Sequence, residues 1–166
     1  MTIDLIKGVA LLLALSQLQA FNVRLWRHNK AAEQLGGGIL FGAICIVGMM
    51  MPIAFTPGVI FDARSVILGM AGLFGGPLVG LIAAAIAAAY RTWLGGVGVG
   101  VGVAVIFASM LLGLAYRHGC ERGWFKVDGL RLLGFGFLLH AMVLFLFTSL
   151  PPEIAQAVIA RPTPPI

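Results

Sequence analysis

The sequence predicts an all-α integral membrane protein, a polytopic bundle of about six membrane segments, two of them short helices around a Gly-Pro break. Four observations carry this expectation. Apolar runs of about 18 to 20 residues, enough to span roughly 30 Å of hydrocarbon, recur along the chain. The 166 residues are 60% hydrophobic and only 10% charged, with a mean hydropathy of +1.04. The basic residues are clustered: seven of the eleven Lys and Arg fall in Arg24–Lys30 and Arg117–Arg131. The longest apolar stretch is interrupted by Gly75-Gly76-Pro77.

This composition excludes a soluble globular domain. Two-residue alternation, the mark of a membrane barrel, is missing except around Gly95–Val103. The net charge of +5 sits in short loops suited to anionic lipid and not in a basic stripe, which excludes a nucleic-acid partner. Cys45 and Cys120 offer neither a disulfide framework nor a CxxC pair. No HExxH, no acidic cluster and no Ser/His/Asp set is present, so neither a metal nor a cofactor nor enzymatic chemistry is expected of this domain.

The first span is expected from about Ile3 to Leu18. Asp4 and Lys7 stand at its head and no small-residue cleavage site follows, so it reads as a retained span. Trp26 beside Arg24 and Arg27 marks an interfacial end. A second span is expected to begin after Gly36–Gly38 and run from Ile39 to about Phe55, with Pro52 and Pro57 kinking or ending it. Arg64–Tyr90 holds 27 residues. As one helix it would be about 40 Å long, too long for one crossing and too short for two full ones. Gly72, Gly75, Gly76 and Pro77 make a poor helix interior, so two short helices are expected, about Ser65–Phe74 and Leu78–Tyr90. A further span ends near Tyr116, and a last one runs from Leu132 to Leu150.

Orientation links these pieces. The positive-inside rule puts both basic loops in the cytoplasm, so an even number of crossings must separate them. The second span and the span ending at Tyr116 supply two, leaving zero or two for Arg64–Tyr90. A folded-back pair of short helices, or a re-entrant hairpin, satisfies the count. Either form brings Asp62, Arg64 and Arg91 to one non-cytoplasmic mouth, with the N-terminus on that side. Ionisable residues in such a place are costly and mark a candidate site. Guanidinium groups bind carboxylate or phosphate through paired hydrogen bonds, so the trio fits a small anion. The alternative is that Arg64 pairs with Asp62 as an interfacial lock while Arg91 snorkels to the headgroups. Tyr90 and Trp93 suit interface anchors or a pocket wall. Gly72, Gly76 and Gly80 are spaced for close helix packing, with Gly75 beside them, as are Gly96 with Gly100 and Gly98 with Gly102. His140, mid-span, fits either a proton-sensitive group or a histidine satisfied by its surroundings.

Several of these residues carry a resemblance. Asn22-Val23-Arg24 closes the first span, and Thr56-Pro57-Gly58 precedes Phe61-Asp62-Ala63-Arg64-Ser65-Val66. Ala71-Gly72-Leu73-Phe74-Gly75-Gly76-Pro77 follows, then Ala89-Tyr90-Arg91 and Gly95-Gly96. Over about residues 5 to 150 this order resembles the LytS/YhcK-type five-transmembrane receptor domain. That module is fused to histidine kinases of the LytS class, in two-component systems, and to many diguanylate cyclases. The resemblance implies a bacterial inner-membrane sensor taking a small ligand from the periplasmic side and working as a homodimer among membrane lipid. Some kinases of this class are receptors for pyruvate, with arginines of the DxR and YR motifs contributing to the site. By motif these are Arg64 and Arg91, with Asp62, Ser65 and Tyr90 beside them. The fold is also similar to the substrate-binding subunits of vitamin transporters. The family continues through a further span into a catalytic output, which this sequence does not hold. Residues 1–150 are therefore expected to be the sensor and 151–166 a periplasmic linker or the start of another span. A transporter, or its substrate-capturing subunit, is the alternative, since broken helices beside a charged site also occur there. A purely structural anchor is a third.

Overall fold

The structure is a computed structural model that describes residues 2–50, 53–56, 59–61, 63–96, 98–124 and 127–148. The chain forms helices α1 (Thr2–Leu25), α2 (Lys30–Met50), α3 (Ala63–Met70), α4 (Gly76–Leu94), α5 (Val99–Glu121) and α6 (Gly129–Thr148). A π turn, Ala71–Gly75, joins α3 to α4. By length and composition, four helical runs among the described residues could cross a membrane: Lys30–Met50, Arg64–Leu94, Val99–Glu121 and Gly129–Leu146.

The helical class holds, with one small addition and one correction. The addition is a short antiparallel ribbon, β1–β2, between α2 and α3, in which Ile53–Thr56 pairs with Val59–Phe61. Pro52 bars continuation of α2, and the β-branched and aromatic residues after it favour extended backbone. The correction concerns α2, which starts at Lys30 and not at Ile39, with Gly36–Gly38 inside it. Glycine costs a helix roughly 1 kcal/mol per residue in propensity, but here it admits a neighbour. A Cβ on Gly38 would lie 2.6 Å from Ile82 Cβ, and one on Gly42 would lie 2.9 Å from Ile86 Cβ. The α2–α4 pair is the most extensive in the bundle, with isoleucines of α4 seated over glycines of α2. The alternating Gly-Val run near residue 100 is not strand-like either, because α5 begins at Val99.

The Arg64–Leu94 run is no straight rod. A Cβ on Gly80 would sit 3.4 Å from Gly72 Cα, whereas eight residues of straight helix are about 12 Å long. The chain therefore folds back on itself. Gly76 makes the reversal with φ 83, a left-handed value that a Cβ disfavours. Its N–H still donates to Gly72 O, and Pro77 starts α4 where a missing N–H does no harm.

The courses of the helices follow from their contacts. Gly38 and Gly42 of α2 meet Ile82 and Ile86 of α4, so these two run parallel. Gly80 meets Met110 and Arg91 meets Gly102, so α4 and α5 run antiparallel. Gly69 of the short helix meets Gly113, and further on Leu73, Phe74 and Gly76 meet Arg117, so the short helix runs parallel to α5. Asn22 of α1 reaches Glu33 of α2, and Gly69 approaches Phe135 and Leu139 of α6. The α1–α2 turn, the α5–α6 loop and the Gly75–Gly76 reversal consequently share one end of the bundle, the basic end. The β ribbon and the α4–α5 turn lie at the far end. Trp26 and Trp124 are exposed at the basic end and Trp93 at the far end, a placement that fits two membrane interfaces.

The core lies between α2, α3, α4 and α5. Ile67, Leu68, Ala71, Ala83, Ala84, Ala87 and Cys45 are fully buried, with Ile106, Val79 and Met110 around them. A smaller cluster of Leu73, Phe135 and Leu139 seats α6. Most of α6 is otherwise open to its surroundings, including Leu130, Leu133, Phe137, Leu144 and Phe145.

Candidate functional site

Arg64 lies in the first turn of α3 and is half-buried. Arg91 lies in the last turn of α4, also half-buried. Measured along the helices from Gly76, Arg64 stands about 18 Å and Arg91 about 22 Å away. The reversal turns both distances in the same direction, so both arginines belong to the far half of the bundle. Asp62, the carboxylate expected between them, lies outside the described residues.

Local geometry explains how Arg91 is held. Its Nη1 donates to Gly95 O at 2.9 Å, satisfying a carbonyl that the end of α4 leaves open. The side chain then lies across α5 at Gly102, where an added Cβ would come within 2.6 Å of Nε and 3.2 Å of Cδ. A glycine at 102 is thus a seat for the Arg91 side chain, a role not assigned from the Gly98/Gly102 spacing alone. Tyr90 is half-buried and its ring lies 5.7 Å from that of Trp93, tilted by 39°. Trp93 is exposed, which suits an interface, while Tyr90 faces partly inward.

Ser65 is almost fully buried, at 1% exposure. One turn toward the far end from the Gly69–Gly113 contact, the parallel course of α3 and α5 puts Ser65 and Ser109 at the same level. Ser109 is fully buried and its Oγ has no hydrogen-bond partner among the described residues. A lone buried hydroxyl is costly in an apolar setting, yet the sequence around Ser109 gives no sign of it.

The glycines divide. Gly72 lies against the α5 backbone, where a Cβ would meet Met110 O at 2.5 Å, and Gly80 lies against Met110 and Gly72. Gly75 meets Val79 in the adjoining turn, and Gly76 lies beside the Arg117 guanidinium. Around Gly96 and Gly100 a Cβ would meet nothing within 4 Å, so inside this chain they pack no helix among the described residues. Gly96, with φ 96, serves the turn into α5, and Gly98 stands before the first residue of that helix. His140 has Nδ1 2.7 Å from Gly136 O of its own helix. Among the described residues no cluster of His, Cys, Asp or Glu could hold a metal ion.

Two contacts between helices were not legible in the sequence. Asn22, buried near the end of α1, donates from Nδ2 to Glu33 O at 2.8 Å and fastens α1 to α2. Arg117, one of several basic loop residues in the sequence, reaches back to the Gly75–Gly76 reversal.

Long apolar helices, a short helix folded back on the 19-residue α4, and aromatic residues exposed at both ends define a multi-pass helical membrane protein. The chain belongs to the 5TM-5TMR_LYT family, described as "5TMR of 5TMR-LYT", which it matches over residues 19–166. This family is a membrane sensor module. No curated protein and no solved structure matches the chain.

Proposed function

We propose that this sensor domain binds a small carboxylate, a monoanion of about the size of pyruvate, between Arg64 and Arg91 at the far end of the bundle. The observation that carries the reading is the reversal at Gly76, which returns the two arginines to one end while Gly102 makes room for Arg91. Two guanidinium groups near a low-dielectric interior favour an anion strongly. Asp62 would leave roughly one net positive charge, matching a monoanion, and Tyr90 and Ser65 flank the arginines in sequence.

In this reading the far end is periplasmic, the N-terminus lies there, and the basic end faces the cytoplasm of a bacterial inner membrane. The chain crosses six times, counting α3 with its π turn and α4 separately. Support comes from the placement of both basic loops at one end and from the family match, which takes in all of α2 to α6. Occupancy would shift the balance between two helix arrangements and act on a cytoplasmic output, a diguanylate cyclase or histidine kinase, through a homodimer. A second reading, in which the same site captures a substrate for uptake, is favoured by the helix reversal beside charged side chains. Binding without flux in proteoliposomes separates the two.

The test is thermal unfolding of the purified domain with a panel of small carboxylates, pyruvate among them. Stabilisation by at least one, lost in Arg64→Ala and Arg91→Ala, is the expected result. Equal stabilisation in the double variant, or none by any anion, refutes the site.

A further inference from the structure

The short helix that carries Arg64 ends at the basic end in an unusual way. Beyond its last residues no helix continues to take up its carbonyls, because Gly76 turns the chain back. Arg117, 43 and 44 residues further on, supplies the donor. Its Nη1 lies 3.2 Å from Phe74 O and 3.4 Å from Leu73 O, while its Nε donates to Glu121 Oε1 at 2.8 Å. The guanidinium also lies against the reversal itself, 3.3 Å from where a Gly76 Cβ would be. One side chain thus ties the end of the short helix to the last turn of α5, beside the basic loop.

Three features suit this tie to movement. The bonds to the carbonyls are at the long edge of hydrogen-bond geometry, so a small displacement breaks them. Ala71–Gly75 is a π turn, wider by one residue than an α turn, and its return to α geometry shifts the register by one residue, about 1.5 Å along the axis. The contact between the short helix and α5 is backbone against backbone at Gly69, Gly72 and Gly113, so sliding there requires little side-chain repacking.

We infer that Arg117 is a positioning residue that couples the far-end site to the basic end, its clasp on Leu73 and Phe74 being made in one arrangement of the short helix and released in the other. Arg64 stands at one end of this rod and the clasp at the other, about 15 Å apart. A pull on Arg64 is felt at Arg117, and through Glu121 at the exit of α5. The signalling role of the clasp rests on the far-end anion reading, but the mechanical link does not.

Cys120 reports on the link. It is half-buried in the last turn of α5, between Arg117 and Glu121, and its alkylation by a maleimide can be mapped by mass spectrometry apart from the buried Cys45. The experiment is a ligand-free double-mutant cycle in lipid nanodiscs, using Arg64→Ala and Arg117→Gln alone and together. Arg64→Lys and Arg117→Lys form a second, milder cycle in case truncation unfolds the protein. Replacing Arg64 is expected to change the Cys120 rate about 2-fold or more when Arg117 is present, and not when Arg117 is replaced. Additive effects, or no effect of Arg64 on Cys120 in either cycle, overturn the inference. Adding pyruvate as a probe tests the other reading separately. Absence of any pyruvate response with a non-additive cycle would refute that ligand while leaving the clasp in place.

Discussion

Replacing Gly72 by alanine tests the packing around the reversal most sharply. The new Cβ would lie 2.5 Å from Met110 O, 3.1 Å from Leu114 N and 3.3 Å from Gly113 C. Carbon contacts are comfortable at roughly 3.5 to 4 Å, so the helices must separate by about 1 Å. All three atoms belong to the α5 backbone, which cannot swing aside as a side chain would. Overpacking of this kind costs about 1–3 kcal/mol, and the rigid neighbours place this site toward the upper figure. For a domain of this size each kcal/mol lowers the melting temperature by about 2–4 °C, giving a drop of about 4–12 °C. Gly100→Ala is the control, because a Cβ there meets nothing within 4 Å. Removing an exposed helical glycine stabilises by up to about 1 kcal/mol. Unfolding can be followed in one detergent by alkylation of Cys45, which is fully buried. Gly72→Ala melting with the parent, or Gly100→Ala falling as far, would refute the close approach of the short helix to α5.

Two further outcomes follow from single contacts. Asn22→Ala removes the donation to Glu33 O, a carbonyl in the first turn of α2 that keeps its place in the helix ladder, so stability should fall by about 0.5–1.5 kcal/mol; proteolysis near the α1–α2 turn would accelerate, and an unchanged melting curve counts against the lock. Gly102→Ala pushes on Arg91 at its flexible Nε end, so stability should change by less than about 1 kcal/mol while stabilisation by carboxylates weakens. If carboxylates stabilise that variant as well as the parent, Arg91 is not held for a ligand.

The sequence shows some features plainly and hides others for physical reasons. Charge counting in the loops is sufficient to require an even number of crossings between the basic segment ending at Lys30 and the one beginning at Arg117. Gly75-Gly76-Pro77 is the break expected in the sequence, and the chain turns back there because Gly76 takes φ 83. Helix ends are less legible. Gly36–Gly38 reads as a helix start by propensity, yet Ile82 and Ile86 fill the groove that glycine leaves along α2, and packing overrides propensity. The four-residue spacing of Gly38 and Gly42 is the available signal for that contact. The β ribbon is hidden because a few apolar residues after a proline read equally as the tail of a span. Within the candidate site, Arg64 and Arg91 stand out as charges beside apolar runs. Ser109 does not, since a serine in an apolar helix has no pattern of its own, and its burial depends on the course of α3. Arg117 is indistinguishable from its basic neighbours until the reversal comes within its reach.

The fold-back between Arg64 and Arg91 is what brings the two arginines together, and a distance between these positions tests it directly. Spin labels at Arg64→Cys and Arg91→Cys, in a background with Cys45→Ala and Cys120→Ser, can be measured by pulsed electron resonance in nanodiscs. With the reversal at Gly76 the labels share the far half of the bundle, and the distance distribution should centre below about 25 Å, well short of an extended rod. A distribution centred near 40 Å, roughly the length of 27 helical residues at about 1.5 Å each, would mean one continuous helix with the arginines at opposite ends, and would contradict the shared site.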